Sequence, residues 1–127
     1  MSPAVLDTSA VLAWLRGEPG ASAVEALLEQ AYMSSVNWCE TAQKLIRDGD
    51  NAERTLRRVA ALGVEVYPCT ATDALAAAQL WSATHPAGLS LGDRVCLALA
   101  ARYELPVYTA DTAWGKLDLG IAVHLIR

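Results

Sequence analysis

The chain is expected to fold as an α/β domain, with its strands gathered into one sheet and helices packed on it. Three observations carry that expectation. Short apolar runs alternate with helical patterns along the whole length. Turn chemistry punctuates the alternation at Glu18-Pro19-Gly20, Gly49, Gly63, His85-Pro86-Ala87-Gly88 and Pro106, stopping one element before the next begins. No low-complexity segment, internal repeat or linker interrupts the 127 residues, so residues 1–127 read as one domain.

In chain order, the apolar run Ala4–Leu6 is the first strand, closed by Asp7. Helices follow over Ser9–Arg16 and Ala21–Gln30, parted by the Glu18-Pro19-Gly20 turn. A second strand at Tyr32–Ser34 leads into a helix over Asn37–Asp48, ended by Gly49, and another over Ala52–Leu62, ended by Gly63. The third strand is Val64–Tyr67. Helices over Thr72–Thr84 and Leu91–Tyr103 flank the His85–Gly88 turn, and Pro106 precedes the fourth strand, Val107–Thr109. A short turn containing Trp114 and a last strand at Ala122–Leu125 complete the chain.

A single domain of this size buries about two thirds of its unfolded surface and needs no covalent staple. The three cysteines, Cys39, Cys69 and Cys96, are odd in number and lack CxxC spacing, which fits small hydrophobes in a reducing compartment. No basic segment precedes the first apolar run, Asp7 interrupts it, and no run approaches the roughly 18 apolar residues of a membrane helix. A soluble cytoplasmic protein with no membrane association is expected. The hydrophobic fraction of 54% is high for so short a chain and points to some apolar surface at an interface.

The net charge of −4 argues against nucleic-acid binding only when taken as a total. Four of the 14 acids, Asp7, Glu40, Asp93 and Asp111, each fall where a strand or polar turn hands over to a helix. Setting those four aside leaves ten acids against ten Lys plus Arg, so the excess is local. In a parallel sheet, the loops leaving the carboxyl ends of the strands gather on one edge, where ligands bind. Asp7 and Asp111 fall on that edge directly, and Glu40 and Asp93 reach it from the first turns of helices.

Each acid has a simpler explanation as a helix cap. Asn37-x-x-Glu40 and Ser90-x-x-Asp93 fit capping boxes, and Asp7 and Asp111 fit N-caps. Capping does not account for four acids on one edge, nor for Asp7 closing an apolar strand, where an unpaired buried charge costs several kcal/mol. Converging carboxylates persist only with raised pKa values or with a cation between them, and oxygen-only ligation suits Mg²⁺ or Mn²⁺.

Val5-Leu6-Asp7-Thr8-Ser9-Ala10, Ser35-x-x-x-x-Glu40, Leu89-Ser90-Leu91-Gly92-Asp93-Arg94 and Thr109-Ala110-Asp111 together resemble the successive motifs of PIN-domain nucleases, most closely the VapC toxins of bacterial toxin–antitoxin pairs. The similarity extends to Trp114–Gly120. What the resemblance implies is a three-layer α/β/α fold with a central parallel sheet and Mg²⁺- or Mn²⁺-dependent endoribonuclease activity on RNA. It also implies homodimerisation and inhibition by a cognate VapB-like antitoxin. Asp7 and Asp93 are then central metal ligands, Glu40 a ligand or water-positioning base, and Asp111 a ligand to a second ion or through water.

Around these acids, Ser9 and Thr109 are candidate orienting hydroxyls, although a strand threonine commonly serves packing. Lys44, Arg47, Arg94 and Lys116 are candidate phosphate contacts, whereas Arg54, Arg57 and Arg58 read as a solvated helix face. Asp73 and Asp118 fit capping or exposure. The sequence holds no GxxxxGK[ST] or GxGxxG loop, and neither His85 nor His124 has the setting of a base for a Ser or Cys nucleophile. A phosphoryl-accepting receiver domain would need an acceptor Asp closing the third strand, which instead ends in Val66-Tyr67-Pro68-Cys69. The remaining alternative is a non-catalytic RNA- or protein-binding module whose acids hold a structural metal.

Overall fold

The computed structural model describes residues 2–127. Five parallel strands, β1 (Ala4–Leu6), β2 (Ala31–Ser34), β3 (Glu65–Tyr67), β4 (Val107–Thr109) and β5 (Val123–Leu125), form one sheet in the order β3-β2-β1-β4-β5. Parallel strands need long crossovers, and seven helices supply most of them. These are α1 (Thr8–Leu15), α2 (Ala21–Glu25), α3 (Ser35–Arg47), α4 (Ala52–Ala61), α5 (Ala71–Gln79), α6 (Trp81–Thr84) and α7 (Leu91–Tyr103). The expected α/β sheet with helices on both sides is what forms.

Alternation along the strands divides the core in two. Leu6 and Met33 face one side, where they pack with Ala10 and Val11 of α1, Val24 of α2 and Val59 of α4. Val5 and Val107 face the other, against Cys96, Leu97, Leu99 and Ala100 of α7 and against Trp114. Every residue from Val95 to Ala100 is buried, because α7 lies between the sheet and α5, whose Ala77 meets Val95 and Ala98. A helix apolar all round is a helix covered on both faces. Among the described residues, no helix is long and apolar enough to cross a membrane.

Three local expectations need correction. The helix expected over Ala21–Gln30 stops at Glu25, and a 3₁₀ turn at Leu28–Gln30 replaces its end. Ala31 is already extended as the first residue of β2, so the chain must leave the helix early. The helix expected over Thr72–Thr84 breaks at Leu80, whose amide bonds the Ala77 carbonyl three residues back, and a 3₁₀ turn follows at His85–Ala87. Finally, α3 starts at Ser35 with Ser34 as its N-cap, accepting the Asn37 amide at 3.0 Å, so Asn37 lies inside the helix and does not cap it.

Of the four tryptophans, Trp114 is fully buried and Trp14 and Trp38 pack at the margin of the core. Trp81 is 53% exposed and stacks on His85 with ring centroids 4.0 Å apart.

Candidate functional site

Strand order changes direction at the β1–β4 boundary, and a crevice at the carboxyl ends of two such strands is the ligand position of open parallel sheets. Asp7 immediately follows β1, and Asp111 lies two residues beyond β4. Ser34 ends β2 and starts α3, bringing Glu40 to the same edge, while Ser90 caps α7 and brings Asp93. Two long helices thus turn their N-termini, with their free amides and positive dipole ends, toward the acids.

Asp7 is only 3% exposed. Its Oδ1 accepts the Ala10 amide and the Ser9 hydroxyl, each at 2.8 Å, and its Oδ2 accepts the Thr109 hydroxyl at 2.5 Å. Burial raises its pKa to about 6; the bonds from Thr109, Ala10 and Ser9 oppose the rise, and the charge of Asp93 adds to it. Thr109 also accepts the Asp111 amide at 3.0 Å, so one buried hydroxyl ties two of the acids together. Ser9 adds a second tie by accepting the Ala110 amide at 2.9 Å.

Asp93 forms the expected capping box with Ser90, its Oδ2 accepting the Ser90 amide at 2.9 Å. Its pKa is raised, first by burial and then by the charges of Glu40 and Asp111, against the lowering bonds of Ser90. Glu40 Oε1 accepts Thr8 Oγ1 and Asn37 Nδ2, both at 2.9 Å. Asp111 caps the 3₁₀ turn Thr112–Lys116, its Oδ1 accepting the Ala113 amide at 3.0 Å. Beneath them, the buried Cys96 thiol is pushed well above its usual range by burial and by Asp7, Asp93 and Glu40, which makes it an unreactive packing residue.

All four acids therefore influence one edge, with Asp93 the electrostatic neighbour of the other three. Their side chains do not share one coordination sphere: among the described residues, no three metal-binding groups converge on a point. Each is turned onto a donor of its own segment. Capping and site are one arrangement here, since Asp7, Asp93 and Asp111 do cap. Glu40 Oε2, Asp93 Oδ1 and Asp111 Oδ2 take no hydrogen bond from any described residue. Three carboxylate oxygens free of protein donors, near a buried fourth acid, are of the donor type that suits a hard divalent cation, although they do not converge on one point.

Other residues fall elsewhere. Asp73 forms a capping box with Thr70 and meets Arg102 at 3.1 Å, on the outer helix layer. Arg47 pairs with Asp48 at the far end of α3, and Arg57 with Glu53 on the exposed face of α4. Arg94 turns back onto the Leu89 carbonyl. Thr8, Asn37 and Gly92 hold Glu40 yet escape sequence reasoning. Asn37 reads as a cap, and Ser34 three residues before it was the signal that the helix starts earlier.

This fold and edge of acids define a PIN domain: the PIN domain family model matches residues 4–119, and the chain belongs to that family. Its relatives there include Ribonuclease VapC42 of Mycobacterium tuberculosis, 34% identical over 106 residues that cover 76% of this chain and 81% of the relative. Solved structures of the same fold include a toxin–antitoxin complex from Klebsiella pneumoniae (TM-score 0.77, 21% identity, 98% of both chains). DNA-bound VapBC from Salmonella typhimurium shares it as well (TM-score 0.72, 18% identity, all of both chains).

Proposed function

We propose that this chain is a Mg²⁺- or Mn²⁺-dependent endoribonuclease, the toxin of a type II toxin–antitoxin pair, working through Asp7, Glu40, Asp93 and Asp111. The observation that carries the reading is the set of free oxygens, Glu40 Oε2, Asp93 Oδ1 and Asp111 Oδ2, beside buried Asp7. The kinship with the ribonuclease VapC42 supports RNA as substrate, and the fold shared with a toxin–antitoxin complex supports an antitoxin as partner. A VapB-like antitoxin, a homodimeric state and a cytoplasmic setting belong to the same proposal.

When bound, the divalent ion acidifies a water and offsets charge on the scissile phosphate. Asp7 and Asp93 would hold the ion, and because their pKa values are raised, protons would compete with it increasingly as pH falls. Thr109, Ser9 and the Ala10 amide fix the Asp7 carboxylate so that it cannot swing away. Glu40 presents Oε2 as ligand and as acceptor for a hydrogen of the attacking water. Asp111 would complete the set from just beyond β4, the parallel neighbour of β1. Water would add to phosphorus and pass a proton to Glu40 or solvent, the bond to the leaving ribose oxygen would break, and that oxygen would take up a proton from solvent.

The test is cleavage of structured RNA pools by purified protein with Mg²⁺ or Mn²⁺, against EDTA and an identically purified Asp7→Asn variant. Discrete metal-dependent cuts that vanish in the variant support the proposal. Equal cutting by the variant, or none by folded, antitoxin-free protein across diverse RNAs, overturns it.

A further inference from the structure

The surroundings of Glu40 come from three separate parts of the chain. Thr8 approaches from the start of α1, Asn37 from one turn earlier in α3, and Gly92 from the first turn of α7. Asn37 is fully buried and uses its whole carboxamide. Its Oδ1 accepts the Ser34 hydroxyl at 2.5 Å, and its Nδ2 donates to Glu40 Oε1 at 2.9 Å and to the Gly92 carbonyl at 3.2 Å. This geometry fixes which end of the amide faces Glu40, because the reverse orientation would set oxygen against both the carboxylate and the carbonyl.

Gly92 supplies the remaining wall. A methyl group built on it would overlap all three atoms of the Glu40 carboxyl group. The backbone of Gly92 shows no left-handed conformation, so nothing in its own geometry calls for glycine. A glycine in a helical turn also carries a larger backbone-entropy cost than alanine.

We propose that Gly92, Asn37 and Thr8 are positioning residues for Glu40: Thr8 and Asn37 bond Oε1, the bare backbone of Gly92 admits the carboxyl group against α7, and Oε2 is left without a protein donor as the oxygen offered to a divalent ion and its water. The inference rests on the nuclease reading for the use made of Oε2, while the cradle itself can be tested without any activity. It also explains the glycine. Position 92 is kept empty so that a carboxylate can lie against the helix backbone, and the atoms an alanine would displace are the mobile end of a side chain. Gly92→Ala is therefore tolerated by the fold and felt by Glu40.

The experiment is a set of double-mutant cycles, read by calorimetric Mn²⁺ binding and by thermal unfolding of metal-free protein. Gly92→Ala is expected to unfold no earlier than Glu40→Ala, because what it forfeits is the seating of the Glu40 carboxyl group. It should weaken Mn²⁺ binding by tenfold or more, and in a Glu40→Ala background the same change should leave Mn²⁺ affinity untouched. Wild-type affinity in Gly92→Ala, or an equal loss with and without Glu40, overturns the proposal.

Thr8→Val and Thr8→Ser separate positioning from packing. Valine should weaken Mn²⁺ binding and serine should restore it; equal binding by the two overturns the role given to the hydroxyl. Should the wild type bind no metal and cut no RNA, the nuclease reading fails, and the unfolding cycle still decides the cradle. The melting-temperature losses from Thr8→Val and Glu40→Ala are non-additive if it exists and additive if it does not.

Discussion

Replacing Asp7 by asparagine should make the metal-free protein more stable at neutral pH. The carboxyl group is buried and its pKa stands at about 6 against an ordinary 3.8. Folding thus favours its protonated form: the stability that goes with the proton is fully present below about pH 4 and is lost as pH rises through about 6. The difference of roughly two units corresponds to about 3 kcal/mol at pH 7.5, an upper figure because the unliganded site can relax. Asparagine carries no charge to bury and can inherit the hydrogen bonds. Its Oδ1 accepts from Ala10 and Ser9, its Nδ2 donates to Thr109 Oγ1, and the Thr109 hydroxyl turns to Ser9 Oγ, already 3.1 Å away. A net gain of about 1–3 kcal/mol raises the melting temperature of a chain this size by about 4–12 °C. Melts in EDTA between pH 4 and 8 test it: the wild type should lose stability across the window relative to the variant, and the two should converge near pH 4. A variant less stable than the wild type at pH 7.5, or parallel curves, would refute the reasoning.

Added Mg²⁺ should raise the wild-type melting temperature more at pH 7.5 than at pH 5, because Asp7 and Asp93 both hold protons more tightly than free carboxylates; at a hundredfold excess over Kd the gain is about 2.7 kcal/mol. RNA cleavage followed over the same range should fall as pH drops through about 6, and a flat profile would remove Asp7 from the ligand set. Thr109→Val keeps the shape of the side chain but removes the donor to Asp7 and the acceptor for the Asp111 amide, so it should cost about 1–3 kcal/mol. Without that donor Asp7 becomes harder to ionise, and the acid limb of the rate profile should move to higher pH. Asp73→Ala, remote from the site, loses its capping box and the Arg102 contact and should cost about 1–3 kcal/mol in denaturant titration while turnover per folded molecule stays unchanged.

The four acids were legible because each sits at a boundary that a single sequence displays: an apolar run ending in Asp7, a Ser90-x-x-Asp93 box, a strand followed by Asp111. So was the parallel sheet, since its strands and helices alternate with clear breaks between them. Helix lengths were less legible where competition is tertiary. Nothing within Ala21–Gln30 announces that β2 must begin at Ala31, and the Leu80 break adds no proline or glycine to the pattern. The cradle of Glu40 was illegible for a deeper reason: positions 8, 37 and 92 meet only once three crossovers are in place, and a helical glycine beside a capping box looks like part of a turn. Thr109 and Ser9 lay between, their hydroxyls visible in the sequence but their partners not.

The seat of Asp7 has a consequence for how the protein is made. Asp7 and Thr109 are 102 residues apart, and β1 lies between β2 and β4, so the first strand stays incomplete on one side until the fourth arrives. At about 5–20 residues per second, a ribosome needs roughly 5–20 s to travel from the codon of one to that of the other. Throughout that interval the nascent chain lacks Asp111 and the Thr109 tether of Asp7. The acidic edge is thereby assembled only when synthesis is nearly over, by nothing more than the order in which its strands are spelled.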